Sequence, residues 1–343
     1  MYKRISVIGA GSWGTALAIL LAESSEAICL WGHRATVVEE LVSHRINSLY
    51  LPRLRLPPNV SVTHQLADAM DAELILIVTP SKAIREVTSQ MAALGVSPQS
   101  ILISCTKGIE HNTGMLMSEV IVSALPDNPL VVLSGPNHAI EVAQKFPAAA
   151  VIGSTDIALL QELQRELLLP SFRLYTSEDV RGIQLGGALK NIFAIAAGVS
   201  DGFRTGDNAK AALITRALTE MIRLGIPLGG KLETFCGLSG IGDLMVTCFS
   251  CHSRNRAIGE RLGQGESPIV IQDSMQTVAE GIPTARSARY LAIKYSVDVP
   301  ILEEVYQVLY HHKTPYRALL ALLGRRPRHE SDSFSPNPLC YPQ

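Results

Sequence analysis

An N-terminal α/β domain built on a doubly wound parallel sheet, followed by an all-α C-terminal domain, is the fold this 343-residue sequence predicts. Three observations lead there. Short apolar runs alternate with amphipathic stretches through the first half, as strands and helices do in a parallel sheet. A glycine-rich turn joins the first apolar run directly to a helix-forming run. After Gly182 the strand-like texture gives way to helical periodicity. The reading places an α/β domain at 1–182, a helical domain at 183–325 and a flexible tail at 326–343, where Arg, Pro, Ser and Asp leave little apolar content.

Each element follows in order. Ile5 to Ile8 is the first strand; Gly9-Ala10-Gly11-Ser12-Trp13-Gly14 follows it, then a helix from Thr15 to Glu23 and a strand from Ala27 to Trp31. Strand, glycine turn, helix, strand within about 30 residues is the βαβ unit of a Rossmann-type dinucleotide-binding domain. Gly9 allows the tight turn, Gly11 lets the backbone approach a pyrophosphate, and Gly14 lets the helix lie close on the sheet. The helix N-terminus offers N–H groups and a positive dipole end to phosphates. Leu74 to Val78 is the next strand, ending in Thr79-Pro80-Ser81. Ser100 to Ser104 ends in Cys105-Thr106-Lys107-Gly108, and Leu130 to Leu133 ends in Ser134-Gly135-Pro136-Asn137. Ala148 to Ile152 and Phe172 to Tyr175 read as edge strands. Ligands in such sheets sit beyond the strand C-termini, so these loops are expected to converge on one crevice. Helical periodicity then runs through Gly187 to Val199, Asn208 to Leu224, Arg254 to Gly263, Thr284 to Tyr295 and Ile301 to His311.

Composition narrows the partners. With 47% apolar and 18% charged residues and a net charge of −1, the chain is an ordinary globular protein with no broad cationic face for nucleic acid or an anionic membrane. An anionic ligand must therefore meet a local basic cluster. Lys3-Arg4 before an apolar stretch imitates an export leader, but Gly9, Gly11, Ser12, Gly14 and Thr15 interrupt it. No other stretch reaches the roughly 20 continuous apolar residues of a membrane span. The expectation is a cytoplasmic protein without membrane insertion. Six cysteines (Cys29, Cys105, Cys236, Cys248, Cys251, Cys340) in a chain this long do not suggest a disulfide framework.

Three constellations in the second half carry chemistry. Lys190 lies in a small-residue, apolar helix from Gly186 to Gly198. It is either a surface lysine on a half-buried helix or a desolvated amine able to exchange a proton near neutral pH. Gly237-Leu238-Ser239-Gly240-Ile241-Gly242-Asp243 is a second glycine-rich turn: either loop punctuation, or a device that brings Asp243 to a ligand. Ser253-Arg254-Asn255 opens a helix, and a hydroxyl, a guanidinium and an amide there suit a phosphate or carboxylate, or simply cap the helix. Cys248-Phe249-Ser250-Cys251-His252 matches the haem-attachment pattern, but that needs an exported chain, and no second Cys pair supports zinc; the expectation is no metal.

Taken together the motifs resemble bacterial NAD(P)-dependent glycerol-3-phosphate dehydrogenase, from Ile5 to about Leu323. The most specific are GAGSWGTALA (9–18), SCTKGIE (104–110), SGPNHAIEVA (134–143), GALKNIFAIAAGVSDG (187–202), GLSGIGDLMVTC (237–248), SRNRAIGERLGQG (253–265) and VAEGIPTA (278–285). The resemblance implies reversible reduction of dihydroxyacetone phosphate to sn-glycerol 3-phosphate, feeding phospholipid synthesis, by a homodimer. It implies that Lys190 transfers the proton, with Asp243 and Lys107 beside it, Lys107 standing between substrate and nicotinamide. Gly135, Asn137, Asp243, Ser253, Arg254 and Asn255, with Lys107 and Lys190, would hold substrate. Ser12, Trp13, His33, Arg34, Tyr50, Lys107, Ala139, Arg254, Val278 and Glu280 would join Gly9, Gly11 and Gly14 at the cofactor. Position 137 is commonly Ser or Thr in the family; Asn keeps a polar contact on a longer side chain.

Cofactor choice is partly legible. The acid expected about 20 residues past the glycines to bind a ribose is absent, and His33-Arg34 ends the second strand instead. Arginine there can meet a 2′-phosphate, so the expectation is use of both NADP and NAD with a lean to NADP. The alternative functions are a related dehydrogenase of 3-hydroxyacid or 6-phosphogluconate type, against which the GLSGIGD and SRN segments count, and a non-catalytic dinucleotide sensor, which would need no proton donor. Fold alone does not separate these, because function lives in the site.

Overall fold

The computed structural model describes residues 2–275, 278–327 and 329–330. The tail expected at 326–343 therefore lies mostly outside the described residues, as does Cys340. The chain divides into two units: residues up to Lys107 with Met117–Val180, and Gly108–Leu116 with Arg181 onward. Residues 108–116, expected in the first domain, thus belong to the second unit, where Ile109 and Leu116 are buried in its core.

The first unit is a sheet of eight strands covered by helices. In chain order the elements are β1 (Arg4–Ile8), α1 (Ser12–Leu21), β2 (Ala27–Trp31), α2 (Ala35–His44), β3 (Ile46–Asn47), β4 (Leu51–Arg55), β5 (Val60–Thr63), β6 (Leu74–Ile77), α3 (Ile84–Ala93), β7 (Ile101–Ser104), α4 (Met117–Ala124), β8 (Leu130–Ser134), α5 (Ala139–Ala143), β9 (Ala148–Gly153), α6 (Ile157–Glu166) and β10 (Phe172–Ser177). The sheet order is β10-β9-β8-β7-β6-β1-β2-β5, and β3 and β4 form a separate antiparallel pair. Every pairing in the sheet is parallel except β8 with β9. The central strands are apolar on both faces because helices cover both: Leu74, Ile75, Leu76 and Ile77 are all buried. β10 alternates, with Phe172 and Leu174 buried and Arg173 and Tyr175 exposed, as an edge strand does. β9 is not an edge strand, as the sequence suggested; it lies between β8 and β10.

Order reverses at β1. The chain leaves it toward β2 on one side and later returns to β6 on the other, which is the switch point where such sheets bind ligands. The Gly9–Gly14 turn sits there. A methyl group on Gly14 would meet the Gly9 carbonyl oxygen at 1.8 Å, so α1 is seated directly on the turn. From Gly14 to Leu21 every residue of α1 is buried, as expected of a helix apolar all round.

The second unit is helical: α7 (Val180–Gly202), α8 (Asp207–Gly225), α9 (Leu232–Phe235), α10 (Asp243–Phe249), α11 (Arg254–Gly263), α12 (Pro268–Ser274), α13 (Gly281–Lys294), α14 (Pro300–Tyr310) and α15 (Pro315–Leu323). By length and composition α7 could cross a membrane, yet 89% of its most apolar stretch is buried inside the protein. It is the core helix, and residues 182–195 are buried without a break. Leu238–Gly242, expected as a loop-like turn, instead wind as one wide π-helical turn running straight into α10. Gly186 makes this approach possible: a methyl there would lie 2.4 Å from the Ser239 carbonyl oxygen.

Candidate active site

In the first unit the phosphate-binding features gather on the turn after β1. No side chain caps α1, whose N-cap is Gly11, so its first N–H groups are not claimed by a capping side chain. A methyl on Gly11 would meet nothing within 4 Å, whereas one on Gly9 or Gly14 would strike backbone. Packing within the protein therefore explains Gly9 and Gly14 but not Gly11, where the backbone is left open to the approach of a group such as a pyrophosphate. The hydroxyls of Thr79, Ser104 and Ser134, after β6 and at the ends of β7 and β8, are buried with no hydrogen-bond partner. Buried polar atoms are normally satisfied, so this edge of the sheet is built to meet polar groups from outside the chain. The residues present fit a dinucleotide.

The other first-unit candidates surround that edge. Ser12 donates from Oγ to the Tyr50 carbonyl at 2.9 Å. The Arg34 guanidinium lies over the Tyr50 ring at 6.0 Å, and His33 and Arg34 are exposed at the end of β2. Trp13, Tyr50 and Ala139 are half-buried against the sheet's core. Lys107 Nζ donates to the Gly135 carbonyl at 3.1 Å, so the loops after β7 and β8 are tied together. Asn137 donates from Nδ2 to the Ala149 carbonyl at 2.9 Å, and its Oδ1 is buried without a partner. The amide thus anchors to β9 by its nitrogen and presents an unsatisfied acceptor.

In the second unit the candidates assemble around Lys190. It is 7% exposed, and Asp243 is fully buried, which removes the surface-lysine alternative. Its Nζ donates to Asp243 Oδ1 in a short ion pair and to Thr247 Oγ1 at 2.7 Å. Thr247 in turn donates to the Asp243 carbonyl at 2.6 Å. A charge this deeply buried persists only when paired and hydrogen-bonded, and here both conditions hold. Ser253 caps α11, its Oγ accepting from Arg256 N at 3.2 Å. Asn255 donates to Asn191 Oδ1 at 2.9 Å and accepts from Gly281 N at 3.0 Å, which joins α7, α11 and the start of α13. Glu280, half-buried, is the residue before α13, and Val278 precedes it. Arg254 is exposed on the first turn of α11. Cys248 is packed in the core, and burial pushes its thiol up to about 12, while Cys251 and His252 are exposed.

Three residues went unremarked in the sequence reading. Thr247 lies four residues after Asp243, on the same face of α10, and that spacing was a usable signal. Asn191, beside Lys190, holds Asn255. Asn47, on a two-residue strand, offered no sequence signal.

Two family models cover most of the chain: NAD-dependent glycerol-3-phosphate dehydrogenase N-terminus matches residues 4–160, and the C-terminus of the same family matches 179–320. A Geobacter sulfurreducens protein named glycerol-3-phosphate dehydrogenase [NAD(P)+] is 46% identical over 95% of this chain and 98% of its own. A Bacillus subtilis protein of the same name is 40% identical, with 97% of each chain covered. The crystal structure of glycerol-3-phosphate dehydrogenase from Coxiella burnetii superposes with a TM-score of 0.91 at 38% identity, covering 94% of this chain and 99% of the other. The dinucleotide turn of the first unit and the buried lysine of the second fall in the two matched halves, and the chain belongs to the NAD-dependent glycerol-3-phosphate dehydrogenase family.

Proposed function

We propose that the protein reversibly reduces dihydroxyacetone phosphate to sn-glycerol 3-phosphate with NADPH or NADH. The observation that carries this is the buried Lys190–Asp243–Thr247 cluster in a chain whose two halves match one dehydrogenase family. When bound, the nicotinamide supplies the hydride that attacks the carbonyl carbon. The chain supplies the proton. Lys190, as the ammonium, donates it from Nζ to the ketone oxygen and stabilises the developing alkoxide. In the reverse direction the neutral amine takes the hydroxyl proton back. Asp243 and Thr247 hold Nζ in one place, so no side-chain search precedes the transfer. A non-catalytic sensor has no use for such a group.

The substrate phosphate falls to Arg254, Ser253 and Asn255, with Arg254 bringing the charge; Lys107, Gly135 and Asn137 complete the substrate set. Gly9, Gly11, Ser12, Trp13, Gly14, His33, Arg34, Tyr50, Lys107, Ala139, Arg254, Val278 and Glu280 are assigned to the cofactor. Both cofactors serve, with NADPH preferred, since Arg34 is exposed beside Tyr50 and no acid takes its place. The enzyme works as a cytoplasmic homodimer and supplies the glycerol backbone for phospholipids. Oxidation of NADPH and NADH followed at 340 nm, with dihydroxyacetone phosphate as substrate and dihydroxyacetone as control, tests the reading. Turnover that requires the phosphate supports it; cofactor binding without turnover moves the assignment to a related dehydrogenase or a sensor.

A further inference from the structure

Asn47 stands outside every motif above, yet it is 0% exposed and its side-chain amide nitrogen is spent on the Gly9–Gly14 turn and the first turn of α1. From Nδ2 it donates to the Ala10 carbonyl at 3.0 Å and to Thr15 Oγ1 at 2.8 Å. Its Oδ1 accepts from Tyr50 N at 3.3 Å. The Tyr50 carbonyl then accepts from Ser12 Oγ at 2.9 Å. The β3–β4 hairpin and the Gly9–Gly14 turn are thereby closed into one circuit, from Ala10 through Asn47 and Tyr50 back to Ser12. The orientation of the amide is fixed by its partners, since the Ala10 carbonyl can only accept.

We infer that Asn47 is a positioning residue for the dinucleotide pyrophosphate. A turn that binds an anion must direct its N–H groups at the ligand and keep its carbonyl oxygens away from it. In a planar trans peptide the carbonyl and the following N–H point to opposite sides. Pinning the Ala10 oxygen to Asn47 therefore fixes the Gly11 N–H on the other side of the same peptide plane. Gly11 is the residue whose missing side chain leaves open space. Thr15, fully buried in the first turn of α1, receives the second donor, so turn and helix start are held by one amide. Glycines in the turn would otherwise allow many backbone conformations, and ordering them at the moment of binding would weaken affinity. Asn47 touches neither substrate nor reacting atoms; it acts through the backbone.

The inference rests on the reading that this turn binds a nicotinamide dinucleotide, and its test reads cofactor binding separately from turnover. Dissociation constants for NADPH are measured by its fluorescence on the full-length protein, alongside kcat, the KM for dihydroxyacetone phosphate and thermal melting. Asn47→Ala is expected to raise the NADPH dissociation constant about tenfold or more, since two buried acceptors lose their donor. Asn47→Asp, which sets a carboxylate against the Ala10 oxygen, is expected to raise it further. At saturating NADPH, kcat and the substrate KM should stay within about threefold of wild type, as for a group that contributes only to cofactor binding. Thr15→Val keeps the shape, removes one of the two acceptors and should weaken NADPH binding about threefold. It carries the test if the Asn47 variants fail to fold. A folded Asn47→Ala protein with an unchanged NADPH constant overturns the inference, and so does a loss confined to kcat. Wild-type protein that binds NADPH but does not reduce dihydroxyacetone phosphate overturns the proposed reaction and leaves Asn47's role standing. Wild-type protein that binds neither nicotinamide cofactor overturns both.

Discussion

At the scale of single residues the site turns on a buried charge and an exposed one. Lys190 and Asp243 are 53 positions apart in sequence, and neither helix announces the other. The small apolar setting of Lys190 was visible in the sequence; the place of Asp243 beside its amine came from the family resemblance and not from spacing, because the close approach depends on Gly186 meeting Ser239 backbone. The pair makes two separable predictions. Lys190→Ala should lose several orders of magnitude in kcat while NADPH fluorescence still reports binding; near wild-type kcat removes Lys190 from the mechanism. The same change leaves Asp243 buried and uncompensated, which costs about 3–5 kcal/mol of stability. Lys190→Ala combined with Asp243→Asn should recover much of that loss in a thermal melt and none of the activity, so stability and chemistry part company in one experiment. Arg254 is exposed on the first turn of α11. Arg254→Ala should raise the KM for dihydroxyacetone phosphate by about one to two orders of magnitude, the range of one hydrogen bond to a charged group, with kcat less affected. An unchanged KM would contradict the phosphate assignment.

Among the elements, those with strong periodicity were legible and those fixed by tertiary contacts were not. The β1–α1–β2 unit could be read because each strand is apolar on both faces and the glycines mark the turn between. The edge strand β5, Val-Ser-Val-Thr, is too short and too polar to stand out, and it exists because it pairs with β2. The β3–β4 hairpin is no more visible, which is why Asn47 escaped notice. A similar contact governs α14. Its first two free N–H groups, on Ile301 and Leu302, donate to Glu220 on α8 at 2.8 and 3.1 Å. Burial pushes the Glu220 carboxyl from 4.5 up to about 8, against the opposing pull of those N–H groups and Arg223. The folded protein therefore holds this proton over a pH range in which the unfolded chain has released it. The stability that comes with the proton is complete below about pH 4.5 and is lost as pH rises through about 8. Glu220→Gln carries no titrating group and should flatten that slope. Melting temperatures measured from pH 5 to 8.5 should show the variant gaining on wild type as pH rises, whatever constant offset the amide introduces. Parallel curves would mean that Glu220 does not titrate in this window.

For the whole molecule the telling fact is that the described residues form two hydrophobic cores, one in each unit. A chain of this length readily divides into domains with separate cores. The change from strand-like to helical texture near Gly182 falls close to where the second unit resumes at Arg181. The short segment 108–116 crosses to the second unit because Ile109 and Leu116 are apolar and bury there, which no local pattern declares. Two cores make unfolding an observable of the site. The Gly9–Gly14 turn and the β3–β4 hairpin both belong to the first unit, so NADPH bound at the turn would stabilise the folded form of that unit by mass action. At a hundredfold excess over its dissociation constant the gain is about 2.7 kcal/mol. For a unit of this size, that is a rise of roughly 5 to 10 °C in its melting temperature. In calorimetry, added NADPH should therefore raise the transition of the first unit. If two transitions are resolved, the other should move less. A melting profile that NADPH leaves untouched at saturating concentration would mean the turn after β1 does not bind the cofactor, whatever the family to which the chain belongs.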